Sequence, residues 1–310
     1  MIRLTEIVFS SCSTAPSDDY FGFCRNRAGI HLWVIDGATS VSDRPCRVRP
    51  DMRDPAWFAR ALSAGMTRIL RVSPASGGLT PRMLAPLLSE LGDRYHAAAG
   101  GDLRSYEIPL AAMTYLCLRQ RGDSWDVTGL QYADCFHAIM RAAPRLPMGR
   151  TGPLPQTPRA ASLPKDDATM QRLRDRRTAQ IEDLVSTAIS LRPESAACAE
   201  PISYCHRGPG FLIVGSDGFA RLHQEYGLLP REQLMRRVAA GGALASVAAM
   251  RRFENAHPGH GRSVKPADDA TVMTAILSSS VAPDRPEGWK IRRNATTTHW
   301  AAIGGASLRS

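Results

Sequence analysis

Leu212-Ile213-Val214-Gly215-Ser216-Asp217-Gly218 is an apolar run that stops at a polar turn, and Trp33-Val34-Ile35-Asp36-Gly37 repeats the pattern far upstream. Each reads as a strand that ends in Asp-Gly. Alone, such a pair marks an ordinary tight turn. Two further acidic pairs stand at comparable places: Asp18-Asp19 early in the chain, and Asp268-Asp269 just ahead of Ala270–Ser278, which reads as a final strand. Carboxylates on strand ends are held more rigidly than on mobile loops, and hard cations such as Mg2+ and Mn2+ take oxygen ligands. The spacing therefore predicts a metal centre. The missing side chain at Gly37 would let a backbone carbonyl approach an ion.

Between the two Asp-Gly strands the pattern is helical, then extended. Asp54-Pro55 caps and opens one helix with Phe58, Leu62 and Ile69 on a face. A second begins near Pro81, with Leu84, Leu87, Leu88, Leu91 and Tyr95 at helical spacing. Leu110–Arg119 and Val127–Arg141 read as an antiparallel pair around a polar turn. The stretch 143–165 is rich in proline and without periodicity, so it is expected to be a flexible flap or loop. A helix opened by Asp166-Asp167 follows, with Met170, Leu173, Ile181, Leu184 and Val185 inward, and Pro230–Asn255 reads as one or two more.

In this order the motifs resemble those of the PPM metal-dependent protein phosphatases, the type 2C family, over roughly residues 1–280. Asp36-Gly37, Ser216-Asp217-Gly218 and Asp268-Asp269-Ala270-Thr271 match its Asp-Gly, Ser-Asp-Gly and Asp-Asn-x-Thr motifs, and Asp18-Asp19 stands where it has an early acidic pair. The resemblance implies an α+β fold, a β-sandwich of two antiparallel sheets flanked by helices in four layers, αββα. It implies two Mg2+ or Mn2+ ions bridged by Asp36, with Asp217 and Asp268 on the first ion and Asp18 and the Gly37 carbonyl on the second. Asp36, Asp217 and Asp268 would be the catalytic residues, activating a water for hydrolysis of phosphoserine or phosphothreonine. The implied partner is a phosphorylated protein in a signalling system, with a Ser/Thr kinase opposing.

Departures from the family pattern carry information too. Ala38-Thr39-Ser40 replaces its His-Gly-Gly, Thr14 stands where many members have a phosphate-binding arginine, and Arg221 replaces an acidic residue. Arg25, Arg27 and Arg44 are the substitute candidates for holding phosphate, since guanidinium matches it bidentately. Arg221 is expected to exclude a third metal ion, with Asp134 either pairing Arg221 or satisfied by backbone donors, unless Arg221 points to solvent. His223 is a candidate proton donor, against a plain surface histidine. These losses leave a second reading open, a catalytically silent PPM-like regulatory or binding domain.

Composition narrows the classes further. The chain has 310 residues and a net charge of +10, which favours acidic partners without choosing among them. Its longest uncharged apolar run, Val238–Met250, is too short to cross a bilayer, and no signal peptide is evident, so a cytoplasmic location is expected. Seven scattered cysteines without a Cys-x-x-Cys pair argue against zinc and disulfides. Cys117 and Cys135 read as small apolar core residues. Residues 281–310 read as a basic C-terminal tail. With Trp289 and Trp300 it makes nucleic-acid binding a third and weaker reading beside that of a solvated end.

Overall fold

The computed structural model describes residues 2–12, 16–72, 78–101, 103–141, 166–183, 186–257, 267–278, 289–293 and 297–302. The expected flap at 143–165 lies outside them. β1 (Ile2–Ser10), β2 (Asp19–Asn26) and β3 (Gly29–Gly37) lead into α1 (Asp54–Val72) and α2 (Pro81–Ala99). β4 (Leu110–Arg121), β5 (Ser124–Tyr132) and β6 (Phe136–Arg141) follow, then α3 (Asp167–Glu182), β7 (Ile189–Ser190) and β8 (Glu200–Arg207). Next come β9 (Gly210–Gly215), α4 (Asp217–Gln224), α5 (Arg231–Gly241), α6 (Ala243–Ala256) and β10 (Ala270–Leu277), with β11 (Trp289–Arg293) and β12 (Thr297–Ala302) beyond.

The strands form two antiparallel sheets. One runs β11-β12-β1-β10-β9-β6, the other β2-β3-β4-β5-β8, with β7 pairing to β4. Side chains alternate across a strand, and here both faces of each sheet are apolar. Leu32 and Val34 of β3, Leu212 and Val214 of β9, and Met273 and Ala275 of β10 pack between the sheets. Their neighbours point outward. Trp33 and Ile35 meet Phe58, Leu62, Leu84 and Leu88 of α1 and α2. Ile213 and Val272 meet Phe219, Leu222, Val238 and Met250 of α4, α5 and α6. Three buried layers of this kind make a sandwich with helices outside both sheets, as expected.

Local signals explain the helix ends. Thr80 accepts the Met83 N–H and Pro81 opens α2, while Asp166 accepts the Thr169 N–H at 2.7 Å to start α3. Gly242, at φ 84°, separates α5 from α6. On α3 only Thr169 and Ile181 are buried, fewer than the expected inward set, and Leu184 and Val185 lie outside the described residues.

Two expectations are corrected. The single strand expected over 127–141 is two, β5 and β6, broken at Ala133, which has the left-handed φ of 52°. An unbroken strand keeps one set of neighbours. The turn instead sends β5 into one sheet and β6 into the other, leaving Asp134 and Cys135 where the sheets part. Within the expected C-terminal tail, β11 and β12 pair with each other, and β12 pairs with β1 from Glu6↔Ala301 to Ser10↔Thr297. The ladder needs only backbone groups, so apolar periodicity did not signal it.

Candidate metal centre

The register of β2 on β3 sets Asp19 directly opposite Asp36. Opposed residues share a face, with Cβ atoms about 5 Å apart, so two carboxylates meet at the end of this strand pair. The face is the inner one, because Leu32 and Val34, at even spacing before Asp36, lie between the sheets. Asp18, one residue before Asp19, turns elsewhere, and its Oδ2 meets Nη2 of Arg53 at 3.2 Å.

β9 delivers Ser216 and Asp217 to the same end. Ser216 Oγ donates to Asp19 Oδ2 at 2.8 Å and accepts the Thr271 N–H at 3.0 Å, tying β2 to the start of β10. Asp217 opens α4 beside Asp36, and its carboxylate favours the protonated form of Asp36. The pair before β10 divides its labour. Asp269 accepts the N–H groups of Cys12 at 2.9 Å and Asp18 at 2.8 Å, anchoring the segment that leads into β2. Asp268 accepts from Nη2 of Arg221 at 3.1 Å.

Two glycines permit this crowding. A Cβ on Gly218 would lie 1.8 Å from the Asp269 carbonyl oxygen, so only glycine lets the start of α4 abut that loop. A Cβ on Gly37 would lie 2.7 Å from the Asp18 carbonyl oxygen and 2.9 Å from that of Pro55, where β3, the loop before β2 and the start of α1 converge.

The electrostatics follow from burial and like charge. Burial, with repulsion from Asp269, pushes the Asp19 carboxyl up to about 8. Burial and the Asp19 and Asp217 carboxylates raise Asp36 well above the usual carboxylate range. Asp134 is raised by burial and by Asp217. Burial would also raise Asp269, but the N–H groups of Cys12 and Asp18 outweigh it and hold the group low. Cys135 lies under the cluster, its thiol pushed up by burial and by Asp36 and Asp134. It packs in the core between the sheets, as its reading as a small apolar residue expects.

Of the residues singled out in the sequence, Asp36, Asp217 and Asp268 come together, and Gly37 lies beside them. Asp19 joins them where Asp18 had been expected. Strand alternation was the signal that separates the two. Arg25 and Arg27 do not approach: Arg25 is six residues along β2 from Asp19, about 20 Å at the usual strand rise, and Arg27 lies beyond it in the turn. Arg44 sits in the loop after β3 with its side chain exposed. His223 has its Nδ1 3.3 Å from the Leu229 carbonyl oxygen. Of the two arrangements expected for Asp134, the pair with Arg221 gives way to other partners of that arginine. Arg221 is 3 % exposed and pairs with Asp268 and, at 3.6 Å, with Glu225, because α4 begins at Asp217 and carries its first turn toward the loop before β10.

The sequence did not point to the arginines of α3. Arg177 donates to the Thr39 carbonyl at 3.3 Å, Arg174 donates to that of Val41 at 3.1 Å, and Arg176 favours the ionised form of Asp134. Together they hold the loop after Asp36-Gly37 and bring positive charge to the rim of the centre.

A hard divalent cation suits these donors, since several buried carboxylates raise one another and a cation would offset the repulsion. As the side chains stand, no group of three or more His, Cys, Asp or Glu among the described residues is arranged to hold a metal ion, and Asp268 is engaged by Arg221.

No family model matches the chain, and no curated protein matches it. Similar solved structures include the catalytic domain of the serine threonine protein phosphatase PstP in complex with two manganese ions, at 16 % identity and a TM-score of 0.46, covering 90 % of this chain and 100 % of that one. The photosystem II phosphatase PBCP is similar at 14 % identity and a TM-score of 0.49, covering 90 % and 100 %. The serine/threonine phosphatase Stp1 from Staphylococcus aureus is similar at 10 % identity and a TM-score of 0.47, covering 90 % and 96 %. In its two antiparallel sheets, its outer helices and the meeting of its motifs at one end, the chain has a PPM phosphatase-like fold.

Proposed function

We propose that the chain is a metal-dependent phosphatase acting on phosphoserine and phosphothreonine in proteins, with Mg2+ or Mn2+ held in the acidic centre. The observation that carries this reading is the meeting of Asp19, Asp36, Asp217 and Asp268, from four separate segments, in a cluster where burial and mutual repulsion raise Asp19 and Asp36. Asp36, Asp217 and Asp19 would hold the cations, two as the motifs imply, with Asp268 shared between cation and Arg221. Bound divalent cations lower the pKa of water and neutralise charge on a phosphoryl group. The chain's own part is to hold the donors rigidly through Ser216 and Asp269, and to hold, on Asp36, the proton that cation binding must displace. Arg176 and Arg177 are better placed than Arg25 or Arg27 to orient a phosphate. The opposing kinase and a cytoplasmic setting belong to the same proposal. Among the described residues, no helix is long and apolar enough to cross a membrane.

A specific observation favours the second reading, a silent binding domain. The Arg221 guanidinium, buried between Asp268 and Glu225, already supplies positive charge to the centre. Hydrolysis of p-nitrophenyl phosphate with Mn2+, with and without chelator, alongside calorimetric Mn2+ binding, separates the two. The phosphatase reading expects chelator-sensitive turnover that Asp36→Asn lowers by about a hundredfold or more while the protein stays folded. Mn2+ binding without turnover supports the silent domain, and turnover indifferent to chelator overturns both.

A further inference from the structure

A groove of about 490 Å³ runs between α1 and α2, beside the acidic centre and separate from it. Its shape follows from the sequence. On α1, Ala61, Ala64 and Gly65 fall on one face at helical spacing, and on α2 Leu87 and Leu91 face them. Small residues on one wall leave an apolar trough. Gly65 takes part directly, since a Cβ there would lie 2.3 Å from Leu87 Cδ1. The rim is basic: Arg49, Arg60, Arg68 and Arg94 line it against one acidic residue, Glu90. Glu90 is matched by Arg68 at 2.5 Å and Arg49 is held by Asp51 at 2.8 Å, whereas Arg94 lies over the Trp57 ring, 5.9 Å from its centroid, with no carboxylate pairing it among the described residues.

One end of the groove meets the centre. Arg60 donates to the Ser17 carbonyl at 2.9 Å, next to Asp18, and feels the charges of Asp18 and Asp269. A chain lying in the groove would therefore run toward the carboxylate cluster.

We propose that this groove docks an acidic segment of the protein substrate, carrying an apolar side chain that seats among Ala61, Ala64 and Leu87, on the same chain as the phosphorylated residue. The proposal rests on the phosphatase reading for its substrate, but the docking itself does not require catalysis. Charge complementarity selects the occupant, because an apolar floor ringed by guanidinium groups suits carboxylates flanking one hydrophobe. A single-stranded nucleic acid fits less well. It would need open aromatic faces for stacking, and Trp57, the ring in the lining, is 6 % exposed and covered by Arg94.

The test is fluorescence anisotropy in chelator with a labelled peptide of Asp and Glu around one central Leu. It is run on the wild type, on Arg68→Glu/Arg94→Glu, and on Arg119→Glu/Arg121→Glu at the β4–β5 hairpin, outside the groove lining, which makes the same change in net charge. Arg68, Arg94, Arg119 and Arg121 are exposed, so both variants are expected to fold, with thermal unfolding as the check. The groove variant is expected to lose affinity at least tenfold, about 1.4 kcal/mol, and the hairpin variant to bind as the wild type. With a phosphopeptide bearing the same acidic segment, the groove variant should show a raised KM, while p-nitrophenyl phosphate hydrolysis stays unchanged. Equal losses in both variants would reduce the binding to net charge and overturn the proposal. So would a single-stranded oligonucleotide that displaces the peptide and binds more tightly. Groove-dependent peptide binding in a protein without phosphatase activity would sustain the docking surface and reject the phosphatase reading alone.

Discussion

On the α1 flank of the acidic centre a buried carboxylate meets an arginine that water reaches, whereas on the α4 flank a buried arginine meets a carboxylate that water reaches. The side chains are 2 % exposed for Asp18 and 26 % for Arg53, against 3 % for Arg221 and 19 % for Asp268. The reversal matters because a carboxylate can discharge by taking a proton and a guanidinium cannot. The α4 flank therefore holds a permanent buried charge, and the α1 flank a conditional one. Between them lie Asp19 and Asp36, whose strongest charged neighbours are other carboxylates.

The largest effect is expected in that middle ground. Asp19 ionises near 3.8 when unfolded and near 8 when folded. Over this interval the folded state keeps a proton that the unfolded state has released, so the stability of metal-free protein falls as pH rises from about 4 to about 8 and then levels. Urea midpoints measured in chelator give the curve, and added Mn2+ should raise the midpoint most at the alkaline end. A midpoint that stays flat or rises over this range would mean that Asp19 is ionised in the folded state, and the contrast between middle and flanks would disappear.

Next comes the α4 flank. Asp268→Asn leaves the buried Arg221 with Glu225 as its remaining carboxylate, and removing one partner of a buried pair costs about 3 kcal/mol. Because the stranded group cannot discharge, the loss should persist from neutral pH into mild acid, where Glu225, raised by burial, gives up its charge. Equilibrium urea unfolding at both pH values is the measurement, and a loss that vanishes in acid would contradict the permanent charge.

The smallest effect is expected on the α1 flank. Arg53→Ala takes a partly exposed partner from Asp18, which Arg60 also faces, so the cost is about 1 kcal/mol, read from the same urea midpoints. The two flanks would prove equivalent if Arg53→Ala and Asp268→Asn gave equal losses.

Much of the fold was legible because strands and helices announce themselves by period. Trp33 to Ile35 and Leu212 to Gly215 carry continuous apolar runs, since both faces of each sheet are covered. The break at Ala133 was hidden: alanine has no turn preference, and its positive φ is imposed by the change of sheet. The hairpin of β11 and β12 was hidden for another reason, that an edge ladder is satisfied by backbone hydrogen bonds and places little demand on side-chain pattern.

The same division runs through the centre. Residue types and their spacing were enough to set which carboxylates end strands, that glycines follow two of them, and that Arg221 stands where an acidic residue was expected, because these depend on neighbours along the chain. Which partner each carboxylate meets depended on packing. Asp19 faces Asp36 through the β2–β3 register, Asp18 turns to Arg53, and Arg221 closes on Asp268 across 47 positions of sequence. The physical reason is range: a strand's period acts over two residues, whereas the contacts that decide charge in the centre join segments that meet only when the sandwich closes.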